Sequence, residues 1–143
     1  MTEIRPVPYG SPEYDATVEL RRAVLRRPLG LDFTEEQLAE EKDDIHFAFL
    51  HADEALACLV FTPKGDGLLK MRQVAVREDI QGQGLGRQLV ETSEAWARSH
   101  GYKRIVLHAR DTAVPFYLAQ GYEIEGEPFE EVGIPHRAMA KDI

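Results

Sequence analysis

At 143 residues, with 43% hydrophobic and 29% charged side chains, the chain has the size and composition of one globular domain, 1–143, and excludes a disordered or collagen-like polymer. Its 17 Lys and Arg against 25 Asp and Glu leave a formal charge of -8, which argues against a broad nucleic-acid-binding face but leaves room for a local basic pocket for a phosphorylated small molecule. The longest apolar run, Ala55 to Phe61, is seven residues, and Glu3, Arg5 and two prolines stand where an export signal needs an apolar core, so no membrane partner is expected.

Ile4 and Val7 predict a short first strand. Ser11-Pro12 predicts a helix start, because Ser caps free amides and Pro at the first helical position gives up an N–H that had no partner. Tyr14, Val18 and Leu25 share a face of this helix, and Pro28 is expected to end it. Thr34 and Gln37 have capping-box spacing and open a second, acidic helix expected to reach about Asp43. Ile45–Leu50 and Ala55–Thr62 read as a hairpin, with the single cysteine, Cys58, packed in its second strand. One cysteine can make neither an internal disulfide nor a multi-cysteine metal site, so no metal and a cytoplasmic setting are expected. Pro63 to Gly67 signals a turn before a strand over Leu68–Val76.

A helix from about Leu85 to His100 follows, with Leu89, Ala95 and Trp96 available for burial and Gly101 as its stop. Arg104–His108 reads as a strand, about Thr112 to Gln120 as a short helix, and Tyr122–Glu125 and Arg137–Ile143 as two last strands. The acidic runs 35–44 and 123–131 read as solvated surface. The whole order, β-α-α-β-β-β-α-β-α-β-β, is an α/β arrangement around a mixed sheet.

The strongest chemical signal is Gln81-Gly82-Gln83-Gly84-Leu85-Gly86, between a predicted strand and a predicted helix. Alternate glycines allow a tight turn and leave an approaching anion unobstructed, while free N–H groups at a helix start favour negative charge, a diphosphate above all. A dinucleotide fingerprint would need glycine where Arg87 stands, and the Gly-Lys-Ser/Thr of a nucleotide P-loop is absent. Without other signals, the same glycines also fit a sharp connection with no ligand.

Here the sequence resembles the GNAT superfamily of N-acetyltransferases, and within it a subset of small bacterial single-domain proteins. Gln81, Gly84 and Gly86 match the family's pyrophosphate loop, and Leu107-His108-Ala109 followed by Ala113, Phe116-Tyr117 and Gly121-Tyr122 match its later landmarks. The resemblance extends over about residues 3 to 143. It implies a mixed, mostly antiparallel sheet of about seven strands, about four flanking helices, and a cleft where strands 4 and 5 splay apart. It also implies acetyl-CoA as cosubstrate and a small primary amine as acceptor, attacked directly in a ternary complex. The alternatives are a protein lysine or N-terminal acceptor, or a regulatory module that binds acyl-CoA without turnover. Many relatives are dimers, which leaves the oligomeric state open.

Residue by residue, the resemblance assigns Val74 and Val76 to the pantetheine arm and Gly82, Gln83, Gly84, Leu85, Gly86 and Arg87 to the pyrophosphate, with Arg77 or Arg87 near phosphate. The Val74 N–H becomes the oxyanion donor, and Tyr117, beside Phe116, the phenol that serves the departing thiolate; packing beneath the sheet is the other reading of Tyr117. Two departures stand out. Arg72 falls where many relatives carry a glutamate relay, and Arg cannot act as a base; Asp111 replaces an asparagine that touches the cofactor arm. Glu131, His136 and His108 are the remaining candidates for the proton relay, with surface or core-facing roles equally open. Gly133 and Pro135 predict an irregular loop that gathers Glu131 and His136. Arg72, His108 and Arg21 are candidates for substrate contact, with Arg21 and Arg22 also readable as helix-surface charges.

Overall fold

A run of apolar side chains in each middle strand requires cover on both faces of a sheet, and the computed structural model, which describes residues 2–143, provides it. Strands β1 (Thr2–Val7), β2 (Ile45–His51), β3 (Glu54–Gly65), β4 (Leu68–Val76), β5 (Arg104–Arg110), β6 (Glu123–Glu131) and β7 (Ile134–Asp142) form one sheet in the order β1-β2-β3-β4-β5-β7-β6. Every neighbouring pair is antiparallel except β4 and β5. Helix α1 (Pro12–Arg21) covers one face through Tyr14, Val18 and Leu20 against Ala48, Cys58 and Ala75. Helix α3 (Leu85–Ser99) covers the other through Leu89, Val90 and Ala97 against Phe47, Leu59, Phe61 and Ile105. Short helices α2 (Glu35–Ala39) and α4 (Val114–Leu118) complete the set. No helix among the described residues is long and apolar enough to cross a membrane.

Several local expectations hold in detail. Ser11 caps α1 at the Tyr14 N–H, and Thr34 and Gln37 bond reciprocally in a capping box. Others are corrected. After α1 the chain continues through a π-helical turn, Arg22–Arg26, and a 3-10 turn, Arg27–Leu29, that contains Pro28. Helix α2 ends at Ala39, short of Asp43. Ala95 is exposed, because the inward stripe set by Leu89 runs through Val90, Ser93, Glu94 and Ala97. The segment around Pro63 belongs to β3, and the reversal is made by Asp66-Gly67, both at positive φ (55° and 80°), as a type I′ hairpin requires.

The segment between Glu131 and His136 is likewise a tight hairpin instead of an irregular loop, turning at Val132-Gly133 with φ of 46° and 73°. Pro135 fits in β7 because β5 ends at Arg110, which pairs with His136, so its missing N–H leaves no β5 partner unsatisfied.

Arg21 is neither a surface charge nor a substrate contact. Its guanidinium is fully buried and grips Glu41 through both terminal nitrogens at 2.8 and 2.5 Å, lying 4.6 Å above the Phe33 ring. Tyr14 Oη donates to the same carboxylate at 3.0 Å, so α1 is tied to the chain that follows α2. Burial alone would raise the Glu41 pKa, but the Arg21 hydrogen bonds and charge outweigh it and hold the carboxyl below its ordinary value. A depressed folded-state pKa stabilises above the unfolded value, and that contribution is lost as pH falls through the folded one. Glu41→Ala, which strands the buried guanidinium, should therefore cost about 3–5 kcal/mol in urea unfolding at pH 7, with the gap to wild type narrowing in acid. A loss under about 1 kcal/mol at pH 7 would refute this role for the pair.

Candidate functional site

The cleft begins with a mismatch in β4. Cys58 of β3 pairs with Ala75 and Val60 pairs with Arg72, so Leu59 alone faces two residues, Gln73 and Val74. Gln73 takes up the extra length at φ 54°, left-handed territory for a non-glycine residue, and the strand bends there as bulged strands do. Strand β5 follows β4 for only four pairs, Leu68 with Arg104 to Met71 with Leu107, and then stays with β7 through Arg110.

Two adjoining cavities occupy the resulting gap, of about 630 and 710 Å³, with Val24, Val74, Gln81, Ala113 and Tyr117 lining both. The smaller is walled by Val76, Gly82, Gly84, Leu85, Gly86, Arg87 and Phe116. Gly84 caps α3 at φ 85° and brings no side chain to the helix amides. At Gly86 a Cβ would stand 3.2 Å from the Phe116 ring and 3.4 Å from Val76, so a side chain there would have to push the ring aside to keep this helix start against the wall. Gln81 Nε2 donates to the Val76 carbonyl at 2.9 Å and pins the loop to β4.

Arg87 is the arginine at this cavity. Arg77 lines neither cavity: its guanidinium holds Asp79 at 2.6 Å and Glu54 at 2.9 Å. Gln83 and Asp111 also lie outside both linings, and Asp111 sits exposed in the 3-10 turn Asp111–Ala113.

Tyr117 stands at the junction. Its ring packs against Phe116 and Tyr122 at 5.0 and 5.6 Å, yet it lines both cavities, so packing and access coexist. Desolvation raises its phenol pKa well above the ordinary value and keeps it protonated.

The larger cavity contains Arg72, His108, Glu131 and His136. Gly126 (φ 71°) lies in an irregularity of β6 between Glu125 and Phe129, and Arg137 donates to the Gly126 carbonyl at 3.1 Å. Beyond it, Phe129 pairs with His136, and its ring lies 4.9 Å from His108 and 6.0 Å from His136. Glu131 Oε1 accepts from His108 Nδ1 at 2.5 Å, while its Oε2 lies 3.8 Å from His136 Nε2. His136 Nδ1 donates to the Ile134 carbonyl at 2.7 Å, which makes Nε2 an acceptor in the neutral ring. All three relay candidates are thus brought together. Arg72 donates to Thr62 Oγ1 at 3.3 Å and lies 3.6 Å from Asp44.

No sequence signal points to the opposite wall, where the π-helical and 3-10 turns contribute Val24, Leu25, Arg26, Pro28 and Leu29, or to Arg110. Only Pro28 and Gly30 mark an interruption there, and neither indicates which side chains turn inward.

Residues 28–143 match the family model for the acetyltransferase (GNAT) domain. An uncharacterized Bacillus subtilis protein, YyaT, is 29% identical over 121 residues, 78% of this chain and 82% of that protein. The crystal structure of Escherichia coli ElaA superposes with a TM-score of 0.82 at 26% identity, covering 99% of each chain. A GNAT family acetyltransferase from Elizabethkingia anophelis, crystallised with acetyl-CoA bound, superposes with a TM-score of 0.72 at 21% identity over 99% of this chain and 98% of that one, a likeness of fold.

The left-handed residue in β4 is open to a direct test. A β-branched side chain tolerates positive φ poorly, so Gln73→Val should lower unfolding free energy by about 1–2 kcal/mol. Unchanged stability in urea would show that the bulge is not held in this conformation.

Proposed function

The chain belongs to the GNAT acetyltransferase family, and from that premise we propose that it is an N-acetyltransferase that moves the acetyl group of acetyl-CoA directly to the primary amine of a small molecule. The observation that carries this reading is the pair of cavities meeting at Val74 and Tyr117, one against the glycine loop and helix start, the other against the His–Glu–His cluster. Residues 1–143 act as one acetyltransferase domain, and the single buried cysteine suits a reducing, cytoplasmic setting.

Acetyl-CoA supplies an acetyl group activated as a thioester. The smaller cavity suits it, because the first-turn amides of α3 face a loop free of side chains at Gly84, and Arg87 adds positive charge beside them. Past Met71, β4 has no β5 partner, so the Val74 carbonyl and the Val76 N–H are available to the pantetheine amides, the Val76 carbonyl being taken by Gln81, and the Val74 N–H serves the carbonyl oxygen as negative charge develops. An acetylated-cysteine route is disfavoured: Cys58 is buried, and burial pushes its thiol up to about 12.

Tyr117 serves the departing sulfur. Its raised pKa lies above that of a thiol, about 8.5, so the phenol stabilises the thiolate by donating a hydrogen bond without surrendering its proton outright. On the acceptor side, His136 Nε2 takes the amine proton, and Glu131, already bonded to His108, balances the resulting charge.

The decisive experiment is thiol release from acetyl-CoA across an amine panel. Acceptor-dependent release is expected, whereas a non-catalytic binding module would bind CoA and release none. With an acceptor in hand, Tyr117→Phe should lower kcat by about 10²-fold with little change in the KM for acetyl-CoA; wild-type turnover, with chemistry rate-limiting, would reduce Tyr117 to packing. Glu131→Gln should lower kcat/KM by about 10²-fold at neutral pH, the defect shrinking as pH approaches the pKa of the acceptor amine, where more of it is already neutral. A profile that overlies wild type would assign the proton to bulk water.

A further inference from the structure

The larger cavity contains an excess of positive charge that the acetyl-transfer chemistry does not use. Arg26, Arg72 and Arg110 all line it. Six of the other nine arginines, Arg5, Arg21, Arg22, Arg27, Arg77 and Arg104, each hold a carboxylate within 3.0 Å, while Arg87 and Arg98 reach one at 3.8 and 3.9 Å and Arg137 bonds the Gly126 carbonyl. Among the described residues, Arg26 and Arg110 have no carboxylate within ion-pair distance, and Arg72 reaches only Asp44 at 3.6 Å. Arg26 shares the Phe33 ring with Arg21, each 4.6 Å from its centroid, and its Nε is buried without a partner. Burial first, and then the charges of Arg21, Arg72 and Arg110, hold the Arg26 pKa below its ordinary value. Keeping like charges together costs free energy that a bound anion offsets.

The acidic groups of the cavity do not meet this need. Glu131 is engaged by His108, and Glu78 belongs to the short turn after β4. Nor do the phosphates of CoA, because the three arginines are absent from the cavity beside the glycine loop.

We propose that the acceptor carries an oxyanion, a carboxylate or a phosphate, which Arg26, Arg72 and Arg110 seat at the far end of the larger cavity while its amine faces Val74 and Tyr117. Planar guanidinium forks match both oxyanions through paired hydrogen bonds. The inference rests on the acetyl-transfer reading of the cleft, but it is tested by binding. Calorimetry on CoA-saturated protein compares N-acetylphenylalanine with N-acetylphenethylamine, and N-acetylphosphoethanolamine with N-acetylethanolamine, pairs that differ only in the oxyanion.

In at least one pair the oxyanion compound should bind about tenfold more tightly, with the preference weakened by salt, erased by Arg26→Gln and Arg110→Gln, and partly kept by Arg110→Lys. A preference in the first pair identifies an amino-acid-like acceptor, and in the second a phosphorylated amine. Equal binding within both pairs, or a preference that survives both glutamine variants, overturns the proposal. Thiol release on the amine panel reads the parent function separately: no release with the oxyanion preference intact removes acetyl transfer but keeps the anion seat, and release without that preference does the reverse.

Discussion

Leu59 faces two residues of β4, and the cleft follows from that inequality. A strand with one residue too many must kink, and here it can kink only away from β5, because β3 continues to pair with it on the other side through Val76. Beyond Leu107 the neighbour β5 is then held by β7 alone, which pairs with it through Arg110. A parallel pair opened halfway is an uncomfortable arrangement for a sheet, since backbone donors and acceptors are left without strand partners. It is a good arrangement for a ligand that carries amides of its own.

A second constraint works at a distance. The Arg21–Glu41 pair lies outside the cleft, but it fixes the end of α1, and the next residues, Arg22–Leu29, form the wall of the larger cavity. The π-helical turn rotates Val24 and Arg26 inward just after that anchor. Stability and site geometry are therefore coupled through one buried contact, and three arginines, Arg26, Arg72 and Arg110, line the cavity where that wall meets β4 and β5.

Much of the fold was legible because its signals are local. The Ser11 and Thr34 caps, the alternating glycines before α3 and the apolar runs of β2 and β3 each declare an element within a few residues. Arg21 was not legible, since its partner lies 20 residues away in an acidic run that reads as solvated surface. The hairpin at Val132-Gly133 was missed for a different reason: valine at positive φ carries no turn signature, and the pairing of β6 with β7 imposes it. Glu131 and His136 were expected to share a pocket, and they do, but His108 joins them only because β5, β7 and β6 lie side by side, with β6 displaced near Gly126.

The boundary between the two cavities is a few side chains thick, with Val24, Val74, Ala113 and Tyr117 on both sides of it. Under the proposed reaction this thinness acts as a gauge of acyl length. With the thioester at this boundary, an acyl chain longer than acetyl would extend into the larger cavity, the space proposed for the amine. Propionyl and butyryl donors would then compete with the acceptor for one volume, most strongly where the acceptor is bulky.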